Sequence, residues 1–220
     1  MNEKPLPTIA ILGGTGNEGP SLALRWARAG YPIIIGSRKL EKAKETAERL
    51  NQELGIDSIL GLENPDAAKN AQICVLTVVA TAHQVALKGL KDALQGKILV
   101  DATARVDYRD PKPPPPPSAA SIAQKILGPG VRVVGAFQNV PAHTLRRELD
   151  KPVDTDVLVC SDDAMAAESV VQLANDGGMR AYFAGDLDNA IVAEGLTAIL
   201  ISLNKIYKVR TASIGISGIE

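Results

Sequence analysis

Apolar residues in this chain form short, nearly continuous runs that alternate with longer segments of helical periodicity. The clearest runs lie at 9–12, 32–36, 73–79, 97–102 and 131–137. Runs without a polar face are typical of parallel strands that are buried on both sides, and the amphipathic segments between them fit the helices that cover such a sheet. The pattern therefore predicts an α/β fold with a doubly wound, mainly parallel sheet.

The last third of the chain continues this alternation on a smaller scale and ends in an apolar helix. We predict a first domain at 1–150 and a small C-terminal α/β domain at 151–220, with the final helix at 189–207. That helix is apolar almost all round, which is typical of a buried helix. We expect part of it to contact a second subunit, which makes a homodimer through the C-terminal helix the predicted assembly.

A glycine-rich turn separates the first apolar run from the first amphipathic segment. Gly14, Gly16 and Gly19 follow the strand at 9–12, and helical periodicity starts at Leu22. The G-x-G-x-x-G spacing between a strand and a helix is the fingerprint of Rossmann-type dinucleotide binding, in which the helix N-terminus offers free N–H groups to a pyrophosphate. The first domain is therefore predicted to be a Rossmann dinucleotide-binding domain.

The end of the second strand indicates which dinucleotide is bound. Folds that prefer NAD usually carry an acidic residue there, which holds the ribose 2′-hydroxyl. This chain instead has Ser37, Arg38 and Lys39, with Lys42 one turn further on. A hydroxyl and cationic donors suit a 2′-phosphate, and an Arg can grip it through its planar fork. We therefore predict NADP rather than NAD.

Two further strand ends fall on the edge where doubly wound folds bind ligands. His83 follows the strand at 73–79, and segment 138–143 follows the strand at 131–137. Two roles fit His83: contact with nicotinamide or ribose, or a local hydrogen bond at the start of a helix. The residues alone leave both open.

Composition excludes several classes of partner. The chain has 220 residues, of which 45% are apolar and 22% charged, and its formal net charge is −1. This balance gives no attraction to nucleic acid or to a membrane surface. No apolar run approaches the ~20 residues of a membrane span, and the first residues have no signal-peptide core. A cytoplasmic protein is expected, with neither nucleic acid nor membrane as partner.

No metal site is predicted. Cys74 and Cys160 both lie in predicted strands without the spacing of metal ligands, so buried reduced thiols are expected. Asp162 and Asp163 have no third ligand nearby and stand where Asp commonly caps a helix.

An unusual proline run, 113–117, follows the strand at 97–102. It should form a stiff extended segment, which serves either as a rigid surface or docking segment or as a wall of the substrate cleft. Tyr108 and Lys112 have the Y-x-x-x-K spacing of a catalytic helix, but Pro111 and the run itself forbid that helix. We find no acid–base set in the sequence, which suits a hydride passing directly between two bound heterocycles.

Motifs along nearly the whole chain resemble one family, the NADPH-dependent coenzyme F420 reductases, also called deazaflavin-dependent NADP oxidoreductases. They occur in the same order at 11–19, 36–38, 77–78 with His83, 118–120, 136–141 and 160–163. The resemblance implies hydride transfer between NADP(H) and coenzyme F420, an 8-hydroxy-5-deazaflavin, by stacking of the two rings. No dedicated catalytic acid or base is expected.

The resemblance also implies which residues bind each coenzyme. The pyrophosphate would be surrounded by Gly14, Thr15, Gly16, Asn17 and Glu18. The 2′-phosphate would be held by Ser37, Arg38 and Lys42. The nicotinamide side would be lined by Val78, His83 and Ala142. The deazaflavin would stack near Gln138, Asn139 and Val140.

Two alternative functions remain open. The first is an NADPH-dependent reductase of another flavin or of a ferric centre, built on the same scaffold. The second is a non-catalytic NADP-sensing subunit that uses the proline run for docking.

Overall fold

A six-stranded parallel sheet is the centre of the computed structural model, which describes residues 5–147 and 149–219. The strand order is β3-β2-β1-β4-β5-β6, and each neighbouring pair is parallel. The chain order reverses between β1 and β4, which creates the crevice where such sheets bind ligands. The strands are β1 Ile9–Leu12, β2 Ile33–Ser37, β3 Leu60–Glu63, β4 Ile73–Leu76, β5 Ile98–Asp101 and β6 Arg132–Gly135.

Helices cover both faces of this sheet, so the predicted doubly wound fold is confirmed. Along β1, Ile9 and Ile11 join a buried cluster with α1 and α2, whereas Ala10 and Leu12 join a second cluster with α3, α4 and α5. The helices are α1 Glu18–Arg28, α2 Leu40–Leu54, α3 Asn64–Lys69, α4 Ala80–Leu90, α5 Ala119–Leu127, α6 Ala142–Leu145, α7 Ala164–Asp176 and α8 Ala190–Ile206.

The C-terminal part adds a small second sheet made of two parallel strands, β7 Asp156–Val159 and β8 Arg180–Phe183. An antiparallel bridge joins it to β6, because the backbone N–H groups of Gly135 and Cys160 each donate to the carbonyl of the other at 2.8 and 2.9 Å. Val157 belongs to the same buried cluster as Ile9. The two predicted domains therefore share one core, and the boundary at 150 stays a prediction.

Strand β3 begins at Leu60, six residues after the last residue of α2. Gly55 ends α2 in the left-handed conformation at φ 68°. The side chain of Asn51 then holds the backbone of Ile59, accepting from its N–H at 3.0 Å and donating to its carbonyl at 2.9 Å. Because this contact returns the chain to α2, pairing with β2 starts only at Leu60.

The proline-rich segment forms no helix between residues 103 and 118, which confirms that Tyr108 and Lys112 do not share a helical face. An ion pair holds the proline-rich segment in place, since Arg105 Nε donates to Glu194 Oε1 at 2.7 Å. Glu194 is fully buried on α8 and also accepts from the backbone N–H of Ala119 at 2.9 Å. One carboxylate thus joins the segment to both α8 and α5.

Candidate dinucleotide and deazaflavin site

The glycine turn lies between β1 and α1, at the reversal point of the sheet. Gly13 has φ +71°, which is the left-handed conformation of this turn. A Cβ on Gly14 would lie 2.6 Å from the carbonyl oxygen of Ile11, and one on Gly19 would lie 2.8 Å from Thr77 Oγ1. A Cβ on Gly16 would meet nothing within 4 Å. Two of the three motif glycines are thus needed for packing, and the third leaves open space in front of the turn.

Contacts from neighbouring strands fix this turn. The N–H of Gly14 donates to the carbonyl of Gly36 at 2.9 Å, and the N–H of Gly13 donates to Asn64 Oδ1 at 3.0 Å. Asn64 is the first residue of α3. Its contact with the turn crosses 51 residues of chain, so no local pattern indicated it.

Helix α1 begins beside the open side of the turn. Thr15 is half-buried, whereas Gly16 and Asn17 are exposed. The side chain of Asn17 does not cap the helix, and no side chain in the described part of the chain is recorded as accepting from its first-turn N–H groups. An uncapped N-terminus next to a glycine turn is a ready site for a pyrophosphate.

Ser37, Arg38 and Lys42 lie at the carboxyl end of β2, next to the turn. Ser37 is buried and its Oγ accepts from the N–H of Lys39 at 3.3 Å. Arg38, Lys39 and Lys42 are exposed and make no ion pair with another described residue. Arg38, Lys39 and Lys42 therefore place three positive charges near the position at which a ribose 2′-phosphate is expected.

His83 and Asp101 form a buried pair at the ends of α4 and β5. His83 is 2% exposed, and its Nε2 lies 2.6 Å from Asp101 Oδ2. The other oxygen of Asp101 accepts from the backbone N–H of Thr103 at 3.0 Å. His83 therefore makes a hydrogen bond to another element, 18 residues along the chain, rather than the local bond considered from the sequence. Its contact with nicotinamide stays a prediction. Asp101 did not stand out in the sequence, because it ends an apolar strand.

Glu18 is the first residue of α1 and carries a buried carboxyl oxygen. Its Oε1 has no hydrogen-bond partner among the described residues. Burial, followed by the charge of Asp101, raises the pKa of Glu18 to about 8. These surroundings favour the neutral acid for the side chain that was expected to face the pyrophosphate.

The exit of β6 contains a strained residue, Phe137, with φ +72°. A non-glycine residue in this region is uncommon and must be held by its surroundings. The ring of Phe137 is fully buried and packs edge-on against Trp26, with 5.6 Å between ring centroids. Trp26 in turn donates to the carbonyl of Leu173 at 2.8 Å. This aromatic contact sets the direction of the chain that follows.

The three residues after Phe137 turn inward. Gln138 donates from Nε2 to the backbone carbonyl of Asp101 at 3.1 Å, and Asn139 donates from Nδ2 to that of Asp156 at 2.8 Å. Gln138 Oε1 and Asn139 Oδ1 are buried with no described partner, and Val140 is buried as well. Gln138 therefore lies beside the Asp101 pair, while Asn139 faces the second sheet.

Val78 packs against the turn, and Ala142 lies on a helix that packs against α1. The Cγ1 of Val78 lies 2.5 Å from where a Cβ on Gly13 would stand, so Val78 packs directly against the turn. Ala142 is half-buried at the start of α6, the short helix that packs on α1. The structure thus gathers most of the predicted residues at one edge of the sheet.

Candidate metal ligands and thiols have structural roles. Asp163 caps α7 by accepting from Ala166 N at 2.8 Å, as predicted. Within residues 5–147 and 149–219, no three His, Cys, Asp or Glu side chains group as metal ligands. Both cysteines are buried and unpaired, and burial raises the pKa of Cys74 to about 12 and that of Cys160 to about 11. No helix in the described part of the chain has the length and hydropathy of a membrane span.

This combination of strand order, glycine turn and cationic strand end defines a Rossmann-type, dinucleotide-dependent oxidoreductase. The sequence model of the family described as NADP oxidoreductase, coenzyme F420-dependent, matches residues 8–105. The chain is 43% identical to the F420-dependent NADP reductase of Methanocaldococcus jannaschii, over 96% of this chain and 99% of that one. It belongs to the family of F420-dependent NADP reductases.

Two further comparisons agree. The F420-dependent NADP reductase of Methanothermobacter thermautotrophicus is 42% identical over 96% of this chain and 95% of its own. A crystal structure from Arthrobacter sp. FB24, provisionally assigned as an F420-dependent NADP reductase, superposes with a TM-score of 0.79 at 25% identity, covering 96% of this chain and all of that one. The likeness extends over the C-terminal part as well as the Rossmann sheet.

Proposed function

We propose that this protein transfers a hydride between NADP(H) and coenzyme F420 in a cleft at the carboxyl edge of the main sheet. The observation that carries the proposal is the juxtaposition of an open glycine turn with the cationic end of β2, in a chain that is 43% identical to an F420-dependent NADP reductase over almost its full length. The sequence-based expectation and family membership agree on both coenzymes.

The residues at the turn fit a dinucleotide phosphate. Gly16 leaves the space that a Cβ would begin to fill, and the N-terminus of α1 has no side-chain cap. Arg38 and Lys42 supply positive charge about one strand away, and an Arg fork matches the geometry of a phosphate monoester. We assign the pyrophosphate to the turn and the 2′-phosphate to Ser37, Arg38 and Lys42.

The remaining residues orient the rings and exclude water. When bound, NADPH supplies the hydride, and the deazaflavin takes it up together with a proton from solvent. Val78 and Ala142 offer small apolar contacts on the nicotinamide side, and Gln138, Asn139 and Val140 form the wall on the deazaflavin side. Alignment of two bound rings removes most of the entropic barrier to such a transfer, so the reaction needs no acid or base from the protein.

We also propose a homodimer through α8. Three apolar side chains on this helix, Val192, Ile199 and Ile206, are at least half exposed and follow one another at seven-residue intervals. Side chains seven apart lie on one face of a helix, so they form a continuous apolar stripe. A second copy of the chain would cover this stripe.

We assign the protein to the cytoplasm, since two unpaired buried cysteines are typical of a reducing compartment.

The function is tested by mixing the purified protein with NADPH and oxidised F420 and following the visible absorbance of F420. We expect the band to bleach much faster with NADPH than with NADH. Turnover of FMN or of a ferric chelate without bleaching of F420 would favour the alternative reductase. Tight NADP binding without turnover of any acceptor would favour the sensing subunit.

A further inference from the structure

Three ionisable side chains on three different elements influence one another near the carboxyl edge of the main sheet. Glu18 begins α1, His83 lies on α4 and Asp101 ends β5. His83 and Asp101 form the 2.6 Å contact described above, and both are almost completely buried. Glu18 stands close enough to Asp101 to feel its charge.

The carboxyl groups of Asp101 and Glu18 differ in their hydrogen-bond donors. Asp101 has donors for both oxygens, from His83 and from the backbone N–H of Thr103. Glu18 Oε1 is buried and has no donor among the described residues. An ionised carboxylate without a donor is costly to bury, and a like charge nearby adds to the cost. The surroundings of Asp101 therefore favour the ionised carboxylate, and those of Glu18 favour the neutral acid.

The position of Glu18 places this proton in the NADP site. The residue opens the helix whose N-terminus is assigned to the pyrophosphate, so an ionised Glu18 would oppose two further negative charges. Asp101 from β5, with His83 of α4 bound to it, supplies the titratable neighbours, whereas β1 and β4 end in Leu12 and Leu76. The cations Arg38 and Lys42 lie at the far, 2′-phosphate end of the site.

We propose that Glu18 takes part in NADP binding as a neutral carboxylic acid, so that loss of its proton weakens the affinity for NADP. The inference rests on the proposed function, because it places the pyrophosphate at this turn. Burial and the charge of Asp101 keep the proton in place at neutral pH, since together they raise the pKa of Glu18 to about 8.

The test is calorimetric binding of NADP⁺ at pH 7 and pH 9, each in two buffers of different ionisation enthalpy. For a required proton with a midpoint near pH 8, linkage predicts an increase in Kd of about tenfold between the two pH values and an uptake of about one proton per NADP⁺ at pH 9. Glu18→Gln should bind with a similar Kd at both pH values and take up no proton. Glu168→Gln, an exposed residue of α7, should behave like the wild type.

A second variant tests the effect of the neighbouring charge. Asp101→Asn removes the neighbouring negative charge, so the midpoint of the pH dependence should move to lower pH. A wild-type protein that binds NADP⁺ equally at both pH values would overturn the inference while leaving the proposed function intact. Equal proton uptake by the wild type and Glu18→Gln would overturn it as well. Absence of NADP⁺ binding at either pH would overturn both.

Discussion

Asp101 and His83 are joined by a 2.6 Å contact at the end of β5, and the two side chains are 0% and 2% exposed. This pair connects α4 to the last residue of β5, whose carboxylate also accepts from the N–H of Thr103 and whose carbonyl accepts from Gln138 Nε2. Asp101 thereby links both sides of the proposed cleft. A buried pair of this kind is costly to break, because the remaining partner keeps its desolvation cost.

Replacing His83 by Ala should destabilise the fold. The carboxylate of Asp101 would lose one of its two donors while staying buried, which predicts a loss of about 2 to 4 kcal/mol in the free energy of unfolding. Urea denaturation measures this loss. Lys69→Ala, which breaks the exposed 3.4 Å pair with Asp66, is the matched control and should change stability by less than about 0.5 kcal/mol. Equal, small effects of both substitutions would argue against the buried pair.

Arg38 should determine the choice between NADPH and NADH. Removing its side chain loses a charged hydrogen bond worth about 1.5 to 3 kcal/mol, so Arg38→Ala should reduce the ratio of kcat/KM for NADPH over NADH by about 10- to 100-fold. The control is Arg49→Ala in the second half of α2, which should leave the ratio of kcat/KM for NADPH over NADH unchanged. If Arg38→Ala kept the wild-type preference, the 2′-phosphate would have to lie elsewhere.

Two glycines of the turn provide a matched pair of substitutions. Gly19→Ala would place a Cβ 2.8 Å from both Gly14 Cα and Thr77 Oγ1, so it should lower the melting temperature by several degrees. A Cβ on Gly16 meets no protein atom, so Gly16→Ala should fold normally but bind NADP more weakly. Thermal unfolding and NADP titration of both variants measure the two effects. Normal NADP binding by Gly16→Ala would contradict the placement of the pyrophosphate.

Glu194 should hold the proline-rich segment. Its two oxygens accept from Arg105 and from the backbone N–H of Ala119, and it is fully buried. Glu194→Ala would leave these donors unpaired, which predicts faster limited proteolysis between residues 103 and 118 and a loss of about 3 kcal/mol or more of stability. Glu168→Ala on the exposed face of α7 serves as the control. An unchanged cleavage rate would show that other contacts hold the segment.

Glu18 should also make stability depend on pH. Its pKa rises from 4.5 to about 8 on folding, so between these values the folded protein holds a proton that the unfolded chain has released. The free energy of unfolding therefore falls as pH rises through this window, by at most ~1.4 kcal/mol per pH unit and by less because the side chain is partly exposed. The stability of Glu18→Gln relative to the wild type should increase from pH 5 to pH 8. A pH-independent difference would contradict the buried protonated acid.

The sequence predicted most of the fold because its signals were local. Continuous apolar runs identified the parallel strands, and the three glycines located the phosphate turn between β1 and α1. The end of β2 indicated NADP from the charge of Arg38 and the absence of an acid. Helix α7, Ala164–Asp176, is also bounded by local signals, because Asp163 caps one end and glycines follow the other.

The rest of the site depends on contacts between distant segments. Asn64 contacts the turn across 51 residues of chain. Asp101 stands out only once its contact with His83 and its effect on the pKa of Glu18 are known. The ring of Phe137, a residue with left-handed backbone, packs against Trp26 on α1. No propensity or spacing rule reports such contacts, because they are set by how the helices pack on the sheet.

Direct hydride transfer between two stacked coenzymes can be followed by isotope transfer. NADPH that carries deuterium at the transferring position of C4 is oxidised by the protein in ordinary water with F420 as acceptor, and the reduced F420 is analysed by mass spectrometry. We expect one deuterium to be retained in the reduced deazaflavin, and NADH in place of NADPH to give much less product. Reduced F420 without deuterium, or absence of reduction, would contradict this expectation.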